Sequence, residues 1–162
     1  MVYEQGIEMK RYLALGDSYT IGEGVAAEER WPEQLVQLLR AEGIGLAAPE
    51  IVARTGWTTG ELIAGMSQAH PNGLFDLVSL LIGVNNQYRG LPPAAFESEL
   101  LLLLRHAVAL AGSCAGRVLV ASIPDWGVTP FAAGRDRTDI AEQIDTFNRI
   151  KHAATLTVGA RF

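Results

Sequence analysis

Four segments of the sequence combine glycine with small polar residues and tryptophan, which are residue types suited to binding and catalysis. Each segment follows a short apolar run, and they span residues 16–20, 54–57, 83–87 and 122–126. Loops that only connect secondary structure are seldom all composed in this way. The four segments are therefore the candidates for a functional site, provided that the fold brings them together.

Ser18, in the first segment, is a candidate nucleophile. A serine hydroxyl attacks an ester only after a neighbouring base has removed its proton. The attack places negative charge on an oxygen, which needs hydrogen-bond donors already in place. The N–H groups of Ser18 and Gly56 and the side-chain amide of Asn85 are three such donors. Glycine lets an N–H approach a ligand without a Cβ in the way, and the asparagine amide donates without carrying charge.

Each of these residues also has an ordinary structural interpretation. Ser18 could cap a helix, Gly56 could serve a tight turn, and Asn85 could hold its own backbone in a turn. The catalytic interpretation is favoured because all three residues stand at the ends of successive predicted strands.

The elements that must position these residues alternate between strands and helices. Short apolar runs predict strands at residues 12–15, 50–54, 75–82, 117–121 and 158–162. Apolar spacing and helix-start signals predict helices at residues 32–40, 59–66, 93–111 and 138–155. Such alternation forms parallel βαβ units in a three-layer α/β domain. Ligands bind these folds outside the carboxyl ends of the strands, so we expect all four segments at that edge of the sheet.

The composition predicts one folded domain. The chain has 162 residues, 49% hydrophobic and 19% charged, which excludes a disordered chain. The formal net charge of −5 gives no electrostatic footprint for nucleic acid or anionic lipid. Cys114 is the single cysteine, which excludes an intrachain disulfide framework and a cysteine-rich zinc site. We expect this cysteine to be a small buried residue.

The N-terminal sequence lacks the basic segment and apolar run of a secretory signal. The most apolar stretch, residues 100–111, contains charged positions and is too short to span a bilayer. We therefore expect a cytoplasmic protein without a membrane span. Residues 1–9 are expected to form a flexible leader, and residues 10–162 a single domain.

The segments around the three candidate residues resemble the SGNH hydrolases, also called GDSL hydrolases, which are named for Ser, Gly, Asn and His in four sequence blocks. Gly16-Asp17-Ser18-Tyr19 is similar to the first block, and Gly56 stands where the second block has its glycine. Gly83-Val84-Asn85-Asn86 is similar to the third block, with Asn86 in place of the usual aspartate. Residues 123–127 resemble the family's segment after the fourth strand, so the resemblance covers nearly the whole chain in the correct order.

The resemblance implies a flavodoxin-like α/β/α fold with a parallel five-stranded sheet of order 2-1-3-4-5. It also implies hydrolysis of carboxylic esters or thioesters through an acyl-Ser18 intermediate, without metal or cofactor. In the family's pattern, Ser18 N–H, Gly56 and Asn85 form the oxyanion hole. The implied partner is a small-molecule ester substrate rather than nucleic acid.

Further residues near these blocks are candidates for substrate contacts. Trp57, Tyr88 and Trp126 could line the acyl or alcohol site, and plain packing is an equal alternative for each. Asp17 is expected to order its turn by hydrogen bonding rather than to act as a base.

The family's fourth block, Asp-x-x-His after the fifth strand, has no counterpart in the sequence. His70 precedes the third predicted strand, and His106 and His152 lie far along helices that lead to the opposite edge of the sheet, so none is expected to be the base. We expect the triad Asp and His beyond residue 162, and these residues alone to hydrolyse esters barely or not at all.

The sequence also lacks a counterpart of the helix that would cover the fifth strand. We therefore expect exposed apolar surface on that side of the sheet, which a homo-oligomer or a swapped dimer would cover.

Two other functions compete with ester hydrolysis. One is a non-catalytic binder that keeps the oxyanion pocket and holds a carboxylate or an acylated ligand. The other is a flavodoxin-like nucleotide or flavin binder. The first loop argues against the latter, because Asp17 and Glu23 stand where a phosphate needs N–H groups and positive charge.

Overall fold

The structure, a computed structural model, describes the backbone of residues 2–4 and 7–162 and the side chains of residues 9–162. The strands β1 (Val2–Glu4) and β2 (Ile7–Met9) pair in an antiparallel arrangement. Positions 1, 5 and 6 of the expected leader lie outside the described residues, so the flexible leader stays a prediction.

Four parallel strands form the central sheet: β3 (Tyr12–Gly16), β4 (Glu50–Ala53), β5 (Leu77–Leu81) and β6 (Val118–Val120). Their spatial order is β4-β3-β5-β6, so the first strand of this sheet lies between the second and the third. Strand β3 is buried along its whole length, which explains its unbroken apolar sequence, since helices cover both faces there. The expected α/β fold is confirmed, and its four parallel strands follow the first four places of the expected order 2-1-3-4-5.

The fifth predicted strand, residues 158–162, differs from the expectation. Only Arg161 occupies the position next to β6, through a single parallel bridge to Leu119. Two hydrogen bonds make this bridge: Arg161 N–H donates to the Val118 carbonyl at 2.9 Å, and Val120 N–H donates to the Arg161 carbonyl at 2.7 Å. The reason is that the preceding helix continues to Thr157, and Gly159 then turns the chain with a φ of 76°.

The helices of the described residues are α1 (Ser18–Ile21), α2 (Trp31–Ala41), α3 (Thr59–Ala69), α4 (Val84–Tyr88), α5 (Pro93–Leu110) and α6 (Arg137–Thr157). The four predicted helices correspond to α2, α3, α5 and α6. The short helices α1 and α4 were not expected. They follow β3 and β5 directly and carry the first and third of the candidate segments.

Two hydrophobic clusters lie on opposite faces of the sheet. On one face, the alternate residues Leu13 and Leu15 of β3 belong to the larger cluster, which α3, α5 and α6 cover. On the other face, Tyr12 and Ala14 pack with Val36 of α2. This second face is less covered near β6, where Leu119 is 36% exposed although its neighbours in the strand are buried.

Among the helices of the described residues, none combines the length and the apolar character that a membrane crossing needs. The expectation that Cys114 is buried is wrong, because its side chain is exposed. Cys114 lies in the turn between α5 and β6, where Gly112 and Ser113 adopt positive φ angles and lead the chain across the surface.

Candidate functional site

The turn after β3 presents Ser18 at the carboxyl edge of the sheet. Asp17 is the N-cap of α1, and its Oδ1 accepts the Tyr19 N–H at 3.0 Å. Glycine is required at position 16, because a Cβ there would lie 2.1 Å from Thr20 Oγ1 and 2.5 Å from the Leu81 carbonyl. The chain can therefore reverse tightly enough to place the half-buried Ser18 at the first position of the helix.

The loop after β4 holds Gly56 in a conformation that favours glycine, with a φ of 81°. The guanidinium of Arg89 donates to the Gly56 carbonyl and forms an ion pair with Glu61 at 3.3 Å. Thr58 caps α3 in a capping box with Glu61. The Thr58 backbone N–H and Arg89 lower the pKa of the Glu61 carboxyl. The loop is thus fixed at the start of α3 and against the end of α4.

Asn85 follows β5 in α4, and its side-chain amide is held in place. Asn85 Nδ2 donates to the Trp57 carbonyl at 2.9 Å. A primary amide has two N–H donors, so one N–H remains to bind an oxyanion. Gly83 opens this turn with a φ of 122°, and a Cβ there would lie 2.8 Å from the Phe96 ring.

Asn86, which stands where the family usually has aspartate, joins the second and third loops. Its Oδ1 accepts the Thr59 N–H at 3.0 Å, and its Nδ2 donates to Thr59 Oγ1 at 2.7 Å. The Thr59 hydroxyl in turn donates to Glu99. An amide can accept and donate at once, which a carboxylate cannot do. Asparagine at position 86 therefore matches Thr59, which offers a backbone N–H donor and a hydroxyl acceptor.

A cavity of about 200 Å³ lies over the serine, and its walls are uncharged and largely aromatic. Its lining consists of Ser18, Tyr19, Val84, Asn85, Tyr88, Trp126 and Phe131. The aromatic rings form a continuous wall, with centroid distances of 5.5 Å from Tyr88 to Trp126 and 5.7 Å from Trp126 to Phe131. Trp126 Nε1 donates to Gln87 Oε1 at 2.8 Å, which fixes the indole.

The segment after β6 is anchored by helix α6. Asn148 accepts the Ile123 N–H at 2.7 Å through Oδ1 and donates to the Ile123 carbonyl at 3.0 Å through Nδ2. Asp125 accepts the Gly127 N–H at 2.7 Å and starts a 3-10 turn. These contacts hold Trp126 over the carboxyl edge of the sheet.

The structure brings four of the sequence-predicted residues to this cavity: Ser18, Asn85, Tyr88 and Trp126. Gly56 lies in the adjacent loop, one residue before the Trp57 carbonyl that Asn85 binds. The indole of Trp57 packs elsewhere, over Gly65 of α3, where a Cβ would lie 2.1 Å from the ring.

Three further residues line the cavity without having been named as site residues from the sequence, Tyr19, Val84 and Phe131, and an arginine lies next to the aromatic ones. The Arg135 guanidinium lies 4.8 Å from the Tyr88 ring centroid and 5.4 Å from that of Trp126, in cation–π geometry. Tyr19 is adjacent to Ser18 and could have been inferred from that position. Phe131 and Arg135 lie in an irregular segment without a periodic pattern, so no sequence signal pointed to them.

None of the described histidines lines the cavity with Ser18. His70 is the left-handed C-cap of α3 and contacts the Gln68 carbonyl, and His106 is exposed on α5. His152 is exposed on α6, with its ring 5.0 Å from that of Phe162.

A pair of buried charges lies behind the nucleophile turn. Asp17 is 1% exposed, and burial raises the pKa of its carboxyl to about 6. Lys151 of α6 is fully buried, and burial lowers the pKa of its ammonium to about 7 although the Asp17 charge acts in the opposite direction. Lys151 Nζ donates to the Ile82 carbonyl at 2.8 Å. Burial therefore moves the pKa values of the two groups in opposite directions, upward for Asp17 and downward for Lys151.

A parallel sheet with Ser18 and Asn85 at its carboxyl edge has the architecture of the SGNH-type hydrolases. The chain belongs to the GDSL-like lipase/acylhydrolase family, whose model matches residues 14–162.

Two solved structures illustrate the shared fold. AlinE4, an SGNH-hydrolase family esterase, has a TM-score of 0.72 at 22% identity, and the match covers 95% of this chain and 75% of that one. TesA has a TM-score of 0.71 at 21% identity, with 93% and 76% of the two chains covered.

Among curated proteins, an arylesterase of Vibrio mimicus is 32% identical over 91 residues. The match covers 56% of this chain, and it spans 45% of the length of that relative.

Proposed function

We propose that the protein is a serine hydrolase that cleaves carboxylic esters or thioesters through an acyl-Ser18 intermediate. The observation that carries this proposal is that Ser18 and Asn85 line one cavity, with the Asn85 amide already fixed on the Trp57 carbonyl. Donors held in place before the reaction need no reorganisation when the oxyanion forms.

In the proposed mechanism, Ser18 Oγ attacks the acyl carbon while a general base takes its proton. The N–H groups of Ser18 and Gly56 and the free N–H of Asn85 bind the developing oxyanion. The bond between the acyl carbon and the alcohol or thiol then breaks, and the leaving group takes up the proton. Water repeats the sequence on acyl-Ser18 and releases the carboxylic acid. None of the described histidines is placed to act as this base, so we propose that the triad Asp and His lie outside the described residues.

The cavity favours a small apolar acyl or aryl group. Its volume of about 200 Å³ is below the range of about 300–1,000 Å³ that is typical for drug-sized ligands. Tyr88, Trp126 and Phe131 provide aromatic surfaces on which a single ring can pack. The name of the arylesterase relative agrees with an aromatic ester as substrate.

The second candidate is a non-catalytic binder that holds a carboxylate or an acylated ligand in the same cavity. The position of the described histidines favours it, since an unactivated serine is a poor nucleophile. The two candidates differ in whether Ser18 can form a covalent bond.

Covalent labelling distinguishes them. The chain is incubated with an aryl fluorophosphonate, with and without added imidazole to supply a base, and the adduct is located by mass spectrometry. We expect slow modification of Ser18 that imidazole accelerates, and no modification of this site in the Ser18→Ala variant.

The control is Ser98→Ala, which removes an exposed serine from α5 and should label like the wild type. If Ser18 stays unmodified under both conditions while a carboxylate or acylated ligand binds, the protein is a binder and the hydrolase proposal fails.

A further inference from the structure

The burial of the Lys151 side chain is energetically unfavourable. The side chain is fully buried in α6, and the transfer of an ammonium from water into a protein interior costs several kcal/mol before any compensation. A methionine or leucine would fill a similar volume without that cost. Four other buried residues of this helix are apolar, namely Ile140, Ile144, Phe147 and Ala154, and the remaining one, Thr155, bonds its hydroxyl to the Lys151 carbonyl.

The ammonium lies between the two loops that carry Ser18 and Asn85. Lys151 Nζ donates to the carbonyl of Ile82, which immediately precedes the Gly83 turn into α4. Gly16 pairs with Leu81 in the parallel register, so the next residues along each strand, Asp17 and Ile82, are neighbours across the sheet edge. The ammonium that binds the Ile82 carbonyl is therefore on the Asp17 side of the sheet edge. Among the described residues, the ammonium and the Asp17 carboxyl form no hydrogen bond and no ion pair within 4.0 Å, so their charges act on each other across the buried interior.

The carboxyl group of Asp17 is the negative charge opposite the Lys151 ammonium. One carboxyl oxygen, Oδ1, accepts the Tyr19 N–H. The other, Oδ2, is buried and has no hydrogen-bond partner within the part of the chain that the structure describes. A buried carboxylate with a free oxygen needs a nearby positive charge, and the charges of Lys151 and Asp17 each act on the pKa of the other.

We propose that Lys151 is a positioning residue for the Ser18 site, because it hydrogen-bonds the end of β5 and its charge acts on the carboxylate that caps the nucleophile turn, and so fixes the Ser18 N–H relative to the Asn85 amide. This inference rests on the proposed function, since it assigns a role to those two donors. Lys151 contacts neither the cavity nor a substrate there, and it acts through Ile82 and Asp17.

The test compares Lys151→Met with Arg149→Met by ¹H–¹⁵N NMR of the 162-residue chain. Both variants lose one positive charge from α6, but Arg149 is exposed. We expect the Ser18 backbone amide and the Asn85 side-chain amide to shift in Lys151→Met and to stay in place in Arg149→Met. We also expect the Asp17 carboxyl carbon to titrate at higher pH in Lys151→Met. Unchanged resonances of Ser18 and Asn85 in a folded Lys151→Met variant would overturn the proposal.

A titration of the wild type keeps the proposal testable if Lys151→Met does not fold. The Ser18 and Asn85 amide shifts should follow the titration of the Lys151 ammonium and the Asp17 carboxyl. Tyr19 of α1 also faces Asp17, but burial raises the pKa of its phenol, so it titrates at higher pH. If the Ser18 and Asn85 amide chemical shifts do not change over the pH range of either titration, the proposed coupling is refuted.

The labelling rate separates a positioning role from a merely structural one. Lys151→Met should slow imidazole-assisted phosphonylation of Ser18 at least tenfold under conditions where the variant is fully folded, and Arg149→Met should not. A folded Lys151→Met variant that is labelled at the wild-type rate contradicts a positioning role. If the wild type itself is not labelled, the hydrolase proposal fails, and the NMR experiment still decides whether Lys151 couples the two loops.

Discussion

Replacement of Asn85 by alanine separates the contribution of the oxyanion donor from that of the fold. The Asn85 amide makes one structural hydrogen bond, to the Trp57 carbonyl at 2.9 Å. Loss of that bond should lower the free energy of unfolding by about 1 kcal/mol. A domain with a stability of about 5–15 kcal/mol remains almost entirely folded after such a loss.

The effect on acylation should be larger. Removal of one oxyanion donor typically costs about 10²–10³ in rate, which corresponds to about 2.7–4 kcal/mol in the transition state. Because the second N–H of Asn85 is the donor in question, we expect Asn85→Ala to reduce the imidazole-assisted labelling of Ser18 by a factor in this range.

The assay measures the phosphonylation rate by intact mass and the stability by urea unfolding, on the same preparations. Asn72→Ala is the matched control, since Asn72 is exposed in the loop before β5 and should change neither quantity by more than about 0.5 kcal/mol. The reasoning is refuted if Asn85→Ala is fully folded and is labelled as fast as the Asn72→Ala control.

Two further predictions concern the cavity wall and the buried charges. Phe131→Ala removes a side chain that is 66% exposed, so the free energy of unfolding should change by less than about 0.5 kcal/mol. The variant should be labelled more slowly by an aryl phosphonate relative to a methyl phosphonate, by an amount that corresponds to about 0.5–1.5 kcal/mol in the activation free energy. Equal rate changes for both probes would exclude Phe131 from the binding site. The second prediction is tested by urea unfolding at a series of pH values. The wild type should lose stability relative to Asp17→Asn as the pH rises from 3.8, the ordinary pKa of the carboxyl, to about 6, its pKa in the folded state. The reason is that the folded state keeps the Asp17 proton over this range while the unfolded state releases it. Relative to Lys151→Met the wild type should gain stability as the pH rises from about 7 to 10.5, because the unfolded state then binds the additional proton. Stability differences that do not vary with pH would show that neither group is perturbed.

The sheet was predictable because its strands are buried on both faces and therefore unbroken in apolar character. The run at β3 and the run at β5 stand out in the sequence for this reason. The fifth strand was overpredicted, since residues 158–162 are apolar enough for a strand but form the end and turn of α6, which leaves one bridging residue. Gly159 is a helix stop signal, but the apolar residues around it favoured a strand in the sequence.

The candidate site was predictable where chemistry depends on residue type and position after a strand, as for Ser18 and Asn85. The aromatic wall was predicted only in part, because Tyr88 and Trp126 lie close to motif residues, whereas Phe131 lies in a short 3-10 turn away from them. Trp57 was a candidate lining residue because it is adjacent to Gly56, but its indole packs over Gly65 instead.

The link between α6 and the end of β5 depends on a tertiary contact. The buried residues Ile140, Ile144, Phe147 and Lys151 are spaced by four, three and four positions, so the helical period does place the lysine on the inward face. The period does not reveal that the ammonium binds the Ile82 carbonyl, since that contact joins residues 69 positions apart.

The central claim is that Ser18 attacks an acyl group whose oxygen is bound by the Ser18 and Gly56 N–H groups and the Asn85 amide. A crystal structure of the chain after reaction with an aryl phosphonate measures this directly. The account predicts phosphorus bonded to Ser18 Oγ, one phosphonyl oxygen within about 3 Å of all three donors, and the aryl group against Trp126. An adduct on another residue, or a phosphonyl oxygen that points away from Gly56 and Asn85, would contradict it.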